Sequence, residues 1–585
     1  MNLGRVSPRL PALLPVLWAA VLPLLLLGPA LGIGYVLSFD MVWVPDLALR
    51  SDFLGLGTAL PRAVPSDAVI AVLDEVVPGM VLQKLVLYGA LLIAGLGCAR
   101  LVGDSTLARL VAVSLAIWNP FVVERLWIGH WPVLLGYATV PWLVLAGRRI
   151  RREGSIPPSV WLLLPLGSLS ASAALVSALT LAVSASGRLG PEVDHSRARL
   201  VHLRLAVGCA AVNAPWVVAG LLHADDALSA GGFDVFALSR EGSLPAPLAA
   251  LGLGGIWNSD VVPSSREGGL AWVGLVIVLV LAVVGARSWW QRAGDPRLIW
   301  LWGVGYLLAL VTWASPETAS WVGAHVPGGG LLRDGTRSLA LCIPLLVCLT
   351  ASGADLVHRR ARAGAPRAAM ALACVLLPVA TMTDAAWGIG GNLRASQFPD
   401  SYSAARAAVG DPAEDLLVLP FSSYRAPTWN GGRKVLDPLG RYLRPNYVVN
   451  DELSISGVVV PGEDPRVPRV HAALAQDTPA SRAAALGQLG IRFVARELDA
   501  PGVADPAYDA AVAGTPVYAG ADLAVVEITA DVHPREVTMA TRWWMSVAWA
   551  GFIGGLAWGL VKVGKRAVQR WLLARKQVLE SPAES

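Results

Sequence analysis

The sequence predicts a polytopic α-helical membrane protein of about 12 transmembrane helices, with a small α/β extracytoplasmic domain near the C-terminus. Three observations carry this. The 585 residues are 55% hydrophobic and only 15% charged, a balance that soluble chains of this length do not show. Apolar runs of about 20 residues recur along the chain, each long enough to cross a hydrocarbon core of roughly 30 Å. Residues 387–537 break that recurrence and hold no run of membrane length.

The net charge of +5 is small. Its placement matters more, because Arg and Lys gather in a few short loops, and such loops stay cytoplasmic. No nucleic-acid motif is present, and the loop clusters account for the basic residues without one. Cys98, Cys209, Cys342, Cys348 and Cys374 all lie in apolar runs, so no disulfide framework is expected.

Taken in order, Arg5 and Arg9 precede an apolar run at 10–36, too long for a signal-peptide core, which places the N-terminus in the cytoplasm. The first outer loop, about 37–80, holds Pro45, Pro61, Pro65 and Pro78 and reads as short helices along the membrane surface. Spans follow at 81–101, 106–121 and 132–147. RRIRREG (148–154) is basic and cytoplasmic, so WNPFVVERLWIGHWP, with Glu124 and His130, lies outside with the first loop. Residues 156–187 have basic clusters on both sides. They cross twice with the small-residue stretch GSLSASAAL as the turn, or once as a tilted helix.

Further spans lie at 201–222, 269–286, 298–314, 338–354 and 368–386. An outer polar segment at 223–268 carries Asp225 and Asp226, and the outer loop before 338 ends in Arg333, Asp334 and Arg337. HRRARAGAPR (358–367) is cytoplasmic. Within 387–537, DLLVLPF (415–421), IRFVAR (491–496) and DLAVVEI (522–528) read as strands and SRAAALGQLG (481–490) as a helix, hence an α/β domain. A last span at 543–561 and a basic amphipathic tail return the C-terminus to the cytoplasm, so both termini are inside. The expected division is a membrane module at 1–386, an outer domain at 387–537, and a final helix with its tail at 538–585.

The candidate site centres on SFDMVWVPDL (38–47), with Asp40 and Asp46. Asp40 sits where the first span leaves the bilayer, among Tyr35, Phe39 and Trp43. It reads as a half-desolvated carboxylate whose pKa can be raised, as suits a tuned base, or as a solvated loop aspartate. By parity His130, Arg333 and Arg337 lie at the same depth. His130 reads as a substrate contact or as an interfacial histidine bonded to a neighbour. The two arginines read as a phosphate clamp with Asp334 holding one of them, or as snorkelling anchors of a helix end. Trp387, Tyr402, Tyr424, Trp429, Tyr442 and Tyr447 are of types that stack on sugars, but most are expected in a core.

The early acidic outer loop, NPFVVERLWIGHW and GGLLRDGTRSLAL together resemble the GT-C superfamily of polyprenyl-phosphate-dependent glycosyltransferases. They look similar to actinobacterial members, including the arabinofuranosyl- and mannosyltransferases of cell-envelope polysaccharides. The resemblance covers residues 1 to about 386. It implies Asp40 as the catalytic base and a polyprenyl-phosphate sugar donor, for which Asp46, Glu124, His130, Arg333, Asp334 and Arg337 are the candidate substrate-binding residues. The acceptor it implies is an envelope glycan or glycolipid, in contact with membrane lipids. The family's first loop usually carries DxD, DD, ED or a single Asp. Here Asp46 lies six residues from Asp40, no cofactor is identified, and a divalent metal stays open. Two other classes stand beside this one. A lipid-linked sugar flippase would show charges inside spans and paired broken helices, and few such charges are seen. A non-catalytic scaffold would bind glycan through 387–537.

Overall fold

The computed structural model describes residues 10–580 except 59, 61–62, 191–192, 224–231, 327, 456–457, 461, 463 and 502–508. Arg5, Arg9, Asp225 and Asp226 lie outside the described residues.

The apolar runs are helices because in hydrocarbon only a helix satisfies its own backbone. In chain order they are α1 (Leu10–Leu27), α2 (Gly79–Leu101), α3 (Thr106–Ile117), α4 (Pro120–Trp127) and α5 (Trp131–Glu153). Next come α6 (Val160–Leu166), α7 (Ala171–Ala185), α8 (His195–Leu222), α9 (Gly269–Ala293) and α10 (Pro296–Ala314). A 3₁₀ segment, Gly335–Cys342, leads into α11 (Ile343–Arg360), and α12 (Ala365–Thr381) follows. Asn119 breaks α3 from α4 and caps the second piece, its side chain accepting from the Val122 N–H.

The described residues hold nine helices long and apolar enough to cross a membrane, or ten if α12 and the segment bent by 69° after it count as one span. The expected count of about 12 differs from this by the two short legs of 156–187, which fall below that length. α6 has 7 residues and α7 has 15. At about 1.5 Å per residue each is shorter than a bilayer core is thick, yet α7 reaches from Ser172, which Arg337 meets, to Ser184, whose carbonyl accepts from Arg151 at the basic end. The two helices form a hairpin turning at Gly167–Ser170, within the small-residue stretch. The hairpin is tolerated because protein surrounds it. A Cβ at Gly136 of α5 would lie 2.6 Å from the Ala173 Cβ, and one at Gly147 would lie 2.5 Å from the Ser184 Cβ, so small residues bring the two backbones together. Ser177 Oγ donates to the Gly167 carbonyl at 3.1 Å inside the turn.

Near the C-terminus a five-stranded mixed sheet forms, as the alternating strand and helix stretches predict. With β1 (Tyr35–Val36), β2 (Ala395–Ser396), β4 (Tyr424–Arg425) and β5 (Val435–Leu436) lying outside it, the sheet comprises five strands. They are β3 (Asp415–Leu419), β6 (Tyr447–Val448), β7 (Ile491–Glu497), β8 (Gly514–Ala519) and β9 (Leu523–Ile528). The order is β8-β9-β7-β3-β6, with β3 parallel to β6 and β7 and the other pairs antiparallel. Its core gathers Leu417, Phe421, Val470, Leu486 and Val494. Tyr402 and Tyr442 are buried, and Trp429 packs against that aromatic cluster. Trp387 is exposed.

The first outer loop is woven into this sheet-bearing region. β1 pairs antiparallel with β2. The buried Arg50 donates to the carbonyls of Arg441, Leu443 and Arg444. The helices α5 and α11 then run from this end of the molecule to a basic opposite end. There Asp295 pairs with Arg148 (3.2 Å) and Arg151 (3.0 Å), and Asp355 with Arg359 (3.0 Å). All five cysteines are free.

Candidate active site

Asp40 occupies a tight turn that three elements hold. Ser38 and Met41 bridge each other, the Met41 N–H donating to the Ser38 carbonyl at 2.8 Å. The Asp40 N–H donates to the Ile128 carbonyl at 3.0 Å, and Ser38 Oγ to the Trp127 carbonyl at 2.7 Å. Phe39 donates to the Lys434 carbonyl and accepts from the Leu436 N–H, both at 2.8 Å, which makes it a third strand beside the β4–β5 hairpin. Phe39 has φ +45°, a left-handed conformation that costs a bulky residue energy and survives only where its surroundings impose it. Gly129 permits the closeness, since a Cβ there would lie 2.2 Å from the Met41 nitrogen.

Held so, the Asp40 carboxylate is 38% exposed. Its two oxygens are anchored from opposite sides. The Tyr424 hydroxyl donates to Oδ1 at 2.6 Å, and His130 Nε2 lies 3.1 Å from Oδ2. His130 Nδ1 lies 3.0 Å from Arg125 Nη1. Arginine only donates, so Nδ1 must accept, and the imidazole proton resides on Nε2 and is given to Asp40. Arg125 is 1% exposed and forks onto Asp334, which is 6% exposed, with contacts of 2.9 and 3.2 Å. It also donates to Thr336. Arg337 Nε meets Asp334 at 3.0 Å, and its Nη1 reaches Ser172 Oγ at 3.1 Å. Arg337 remains 33% exposed.

The electrostatics correct one expectation. Burial pushes the Asp40 pKa up, as anticipated, but the hydrogen bond and charge of His130, the Tyr424 hydroxyl and the nearby Arg337 outweigh it. The net shift is downward. Burial, with Arg337 and Arg125 adding their charge, lowers the His130 pKa against the pull of Asp40, in keeping with the tautomer above. Burial also opposes ionisation of Asp334, but Arg125 and Arg337 hold it well below the usual carboxylate range.

Of the residues singled out from the sequence, the structure joins Asp40, His130, Asp334 and Arg337 in one network. Asp334 does hold an arginine, and it holds two, Arg125 as well as Arg337. Arg333 stacks its guanidinium 4.6 Å from the Phe236 ring. Asp46 is 49% exposed and has different partners, Arg406 at 2.5 Å and Arg444 at 3.4 Å. Glu124 is 2% exposed; its carboxyl faces Glu241, which pairs with Arg266 at 2.7 Å. Sequence reasoning missed Arg125, although an arginine inside PFVVERLW is itself a signal, since a charge in an apolar stretch needs a partner. Lys434 carries no comparable signal and Tyr424 stands out only as a ring of sugar-stacking type, because their place at the site depends on a chain separation of nearly 400 residues. Among the described residues no group of three His, Cys, Asp or Glu side chains has the geometry to hold a metal ion.

No protein-family model matches the chain, and no curated protein sequence matches it. Solved structures do. Cryo-EM structures of the mycobacterial arabinofuranosyltransferase AftD and of a point mutant of it each superpose with a TM-score of 0.53 and 17% identity over 91% of this chain. The chain spans 40% and 42% of those two chains. The polytopic helical fold with a small sheet region near the C-terminus, expected from the sequence, is thus the fold observed, and those structures share it.

Proposed function

We propose that this protein is a membrane glycosyltransferase of arabinofuranosyl type. It moves a sugar from a polyprenyl-phosphate donor to an envelope glycan or glycolipid on the extracytoplasmic face. Asp40 carries the reading: it is an ionised, partly exposed carboxylate, anchored at both oxygens, at the end of the bundle away from the basic loops. The positive-inside rule assigns those loops to the cytoplasm, and ten spans would return both termini there. Residues 1–386 are then the membrane module, 387–537 the outer domain, and 538–585 the last helix and tail.

Phosphate is a good leaving group, so the enzyme has two tasks. Asp40 takes the proton of the acceptor hydroxyl as its oxygen bonds to the anomeric carbon. The carbon–phosphate oxygen bond breaks, its electron pair leaves on the phosphate, and Arg337 neutralises that charge. One displacement inverts the anomeric carbon. His130 is not the base, because Nδ1 is taken by Arg125 and Nε2 already bears its proton. A carboxylate has about four acceptor positions, and two of those of Asp40 are used, which leaves room for the hydroxyl. The likeness to an arabinofuranosyltransferase supports arabinose over mannose as the sugar.

The test is Asp40→Asn in membranes of a strain lacking the native protein, with envelope glycans compared by linkage analysis. Loss of general-base help is typically worth about 10²–10⁴-fold, so transfer should vanish while the protein still accumulates. Undiminished transfer would remove the main support for an enzyme.

A further inference from the structure

We infer that Tyr424, which the β4–β5 hairpin of the sheet-bearing region contributes, is a positioning residue of the Asp40 site, so that the site is complete only when that hairpin is docked. The inference rests on the reading of Asp40 as the base and adds to it a residue about 380 positions away.

The torsion that turns a carboxylate about its last bond is broad, without sharp staggered wells. One hydrogen bond therefore leaves the plane of the group free to rock. His130 fixes Oδ2 from the membrane module, and the Tyr424 hydroxyl fixes Oδ1 at 2.6 Å from the other side. Tyr424 is itself seated. Its ring meets Phe39 edge-on at 6.4 Å, and Lys434 Nζ rests 5.2 Å from the Tyr424 centroid and 5.5 Å from that of Phe39. Tyr424 pairs with Leu436, and Leu436 donates in turn to the carbonyl of Phe39. One short ladder thus sets both the hydroxyl and the turn that presents the carboxylate. The strained Phe39 is part of that ladder, so undocking the hairpin releases the turn as well as the hydrogen bond.

The groups acting on Asp40 are His130 and Arg337 from the membrane module and Tyr424 from the hairpin, with Lys434 over the intervening rings. Among the described residues Tyr424 and His130 donate directly to its oxygens, and a donor to the anion lowers its proton affinity. Tyr424→Phe removes one oxygen atom at the partly exposed mouth of the site and keeps the ring under Lys434, so folding should survive.

The experiment uses the full-length protein in nanodiscs with a synthetic polyprenyl-phosphate arabinose donor. Wild type, Asp40→Asn, Tyr424→Phe and Lys434→Gln are compared. Tyr424→Phe should lower kcat/KM roughly tenfold, the scale of losing a hydrogen bond to a charged group, and should move the acid limb of its pH profile upward, because the carboxylate protonates more readily. Lys434→Gln should show a smaller loss in the same direction. Activity in Asp40→Asn would sink the underlying reading. An inactive Asp40→Asn beside a Tyr424→Phe with wild-type rate and profile would overturn the inference alone. So would a slower Tyr424→Phe with an unmoved acid limb, which would make Tyr424 a structural contact.

Discussion

Asp334→Asn puts the buried network to a quantitative test. Asp334 sits between Arg125 and Arg337. The substitution keeps the shape and one acceptor oxygen but removes the charge opposite a guanidinium that is 1% exposed. Water does not reach Arg125 to take over, so the cost is that of stranding a buried charge, about 3–5 kcal/mol. The retained oxygen puts the expected value at the low end, about 3 kcal/mol. The Arg337 contact lies at the rim and adds at most about 1 kcal/mol. Asp46→Asn supplies the control. Asp46 also faces two arginines, Arg406 and Arg444, but at 49% exposure, and exposed pairs are worth under about 1 kcal/mol. Thermal unfolding of the detergent-solubilised variants at one scan rate should show a fall of several degrees for Asp334→Asn and little for Asp46→Asn. The Asp334 carboxyl has a folded pKa held below its unfolded value. Its contribution is therefore present above about pH 4 and lost as pH falls further. The gap between wild type and Asp334→Asn should be flat from pH 5 to 8 and close in stronger acid. Equal losses for Asp334→Asn and Asp46→Asn would refute the assignment of the difference to burial.

Gly129→Ala should lower both stability and transfer, because its Cβ meets the Met41 nitrogen and its φ is +90°; full transfer at wild-type stability would mean the turn tolerates displacement. Asp74 has a pKa raised to about 6 by burial, with Asp46 and Glu75 adding to it and the Leu47 N–H opposing. An acid with a raised folded pKa costs stability above that pKa and relieves it as pH falls toward its unfolded value near 4. Asp74→Asn should therefore unfold later than wild type at pH 7.5, with the advantage shrinking through pH 6 in a melting series. Arg337→Ala should raise the KM for a polyprenyl-phosphate donor more than Arg337→Lys, because lysine keeps the charge and loses the fork. Equal effects in a donor titration would return Arg337 to a helix anchor.

The sequence by itself determined the membrane class, the place of the spans, the α/β character of the late segment and the candidacy of Asp40. These follow from local chemistry. An apolar run must be helical in lipid, strands alternate with helices in the residues that form them, and a carboxylate after a span lies at the interface. The number of crossings was not local. Whether 156–187 folds as two short legs or as one tilted helix depends on how closely Gly136 and Gly147 admit α7, a property of the partner helix. The tertiary structure alone decided which charges meet. Asp40 and Asp46 share one ten-residue motif, yet packing turns one to His130 and Tyr424 and the other to Arg406. The counter-charge of Arg125 is Asp334, 209 residues on. The sign of the Asp40 pKa shift went the same way. Depth in the bilayer argues for a raised value, but donors brought from two distant parts of the chain lower it. A proton's affinity is set by what surrounds the group in space, and no neighbour in sequence reports that.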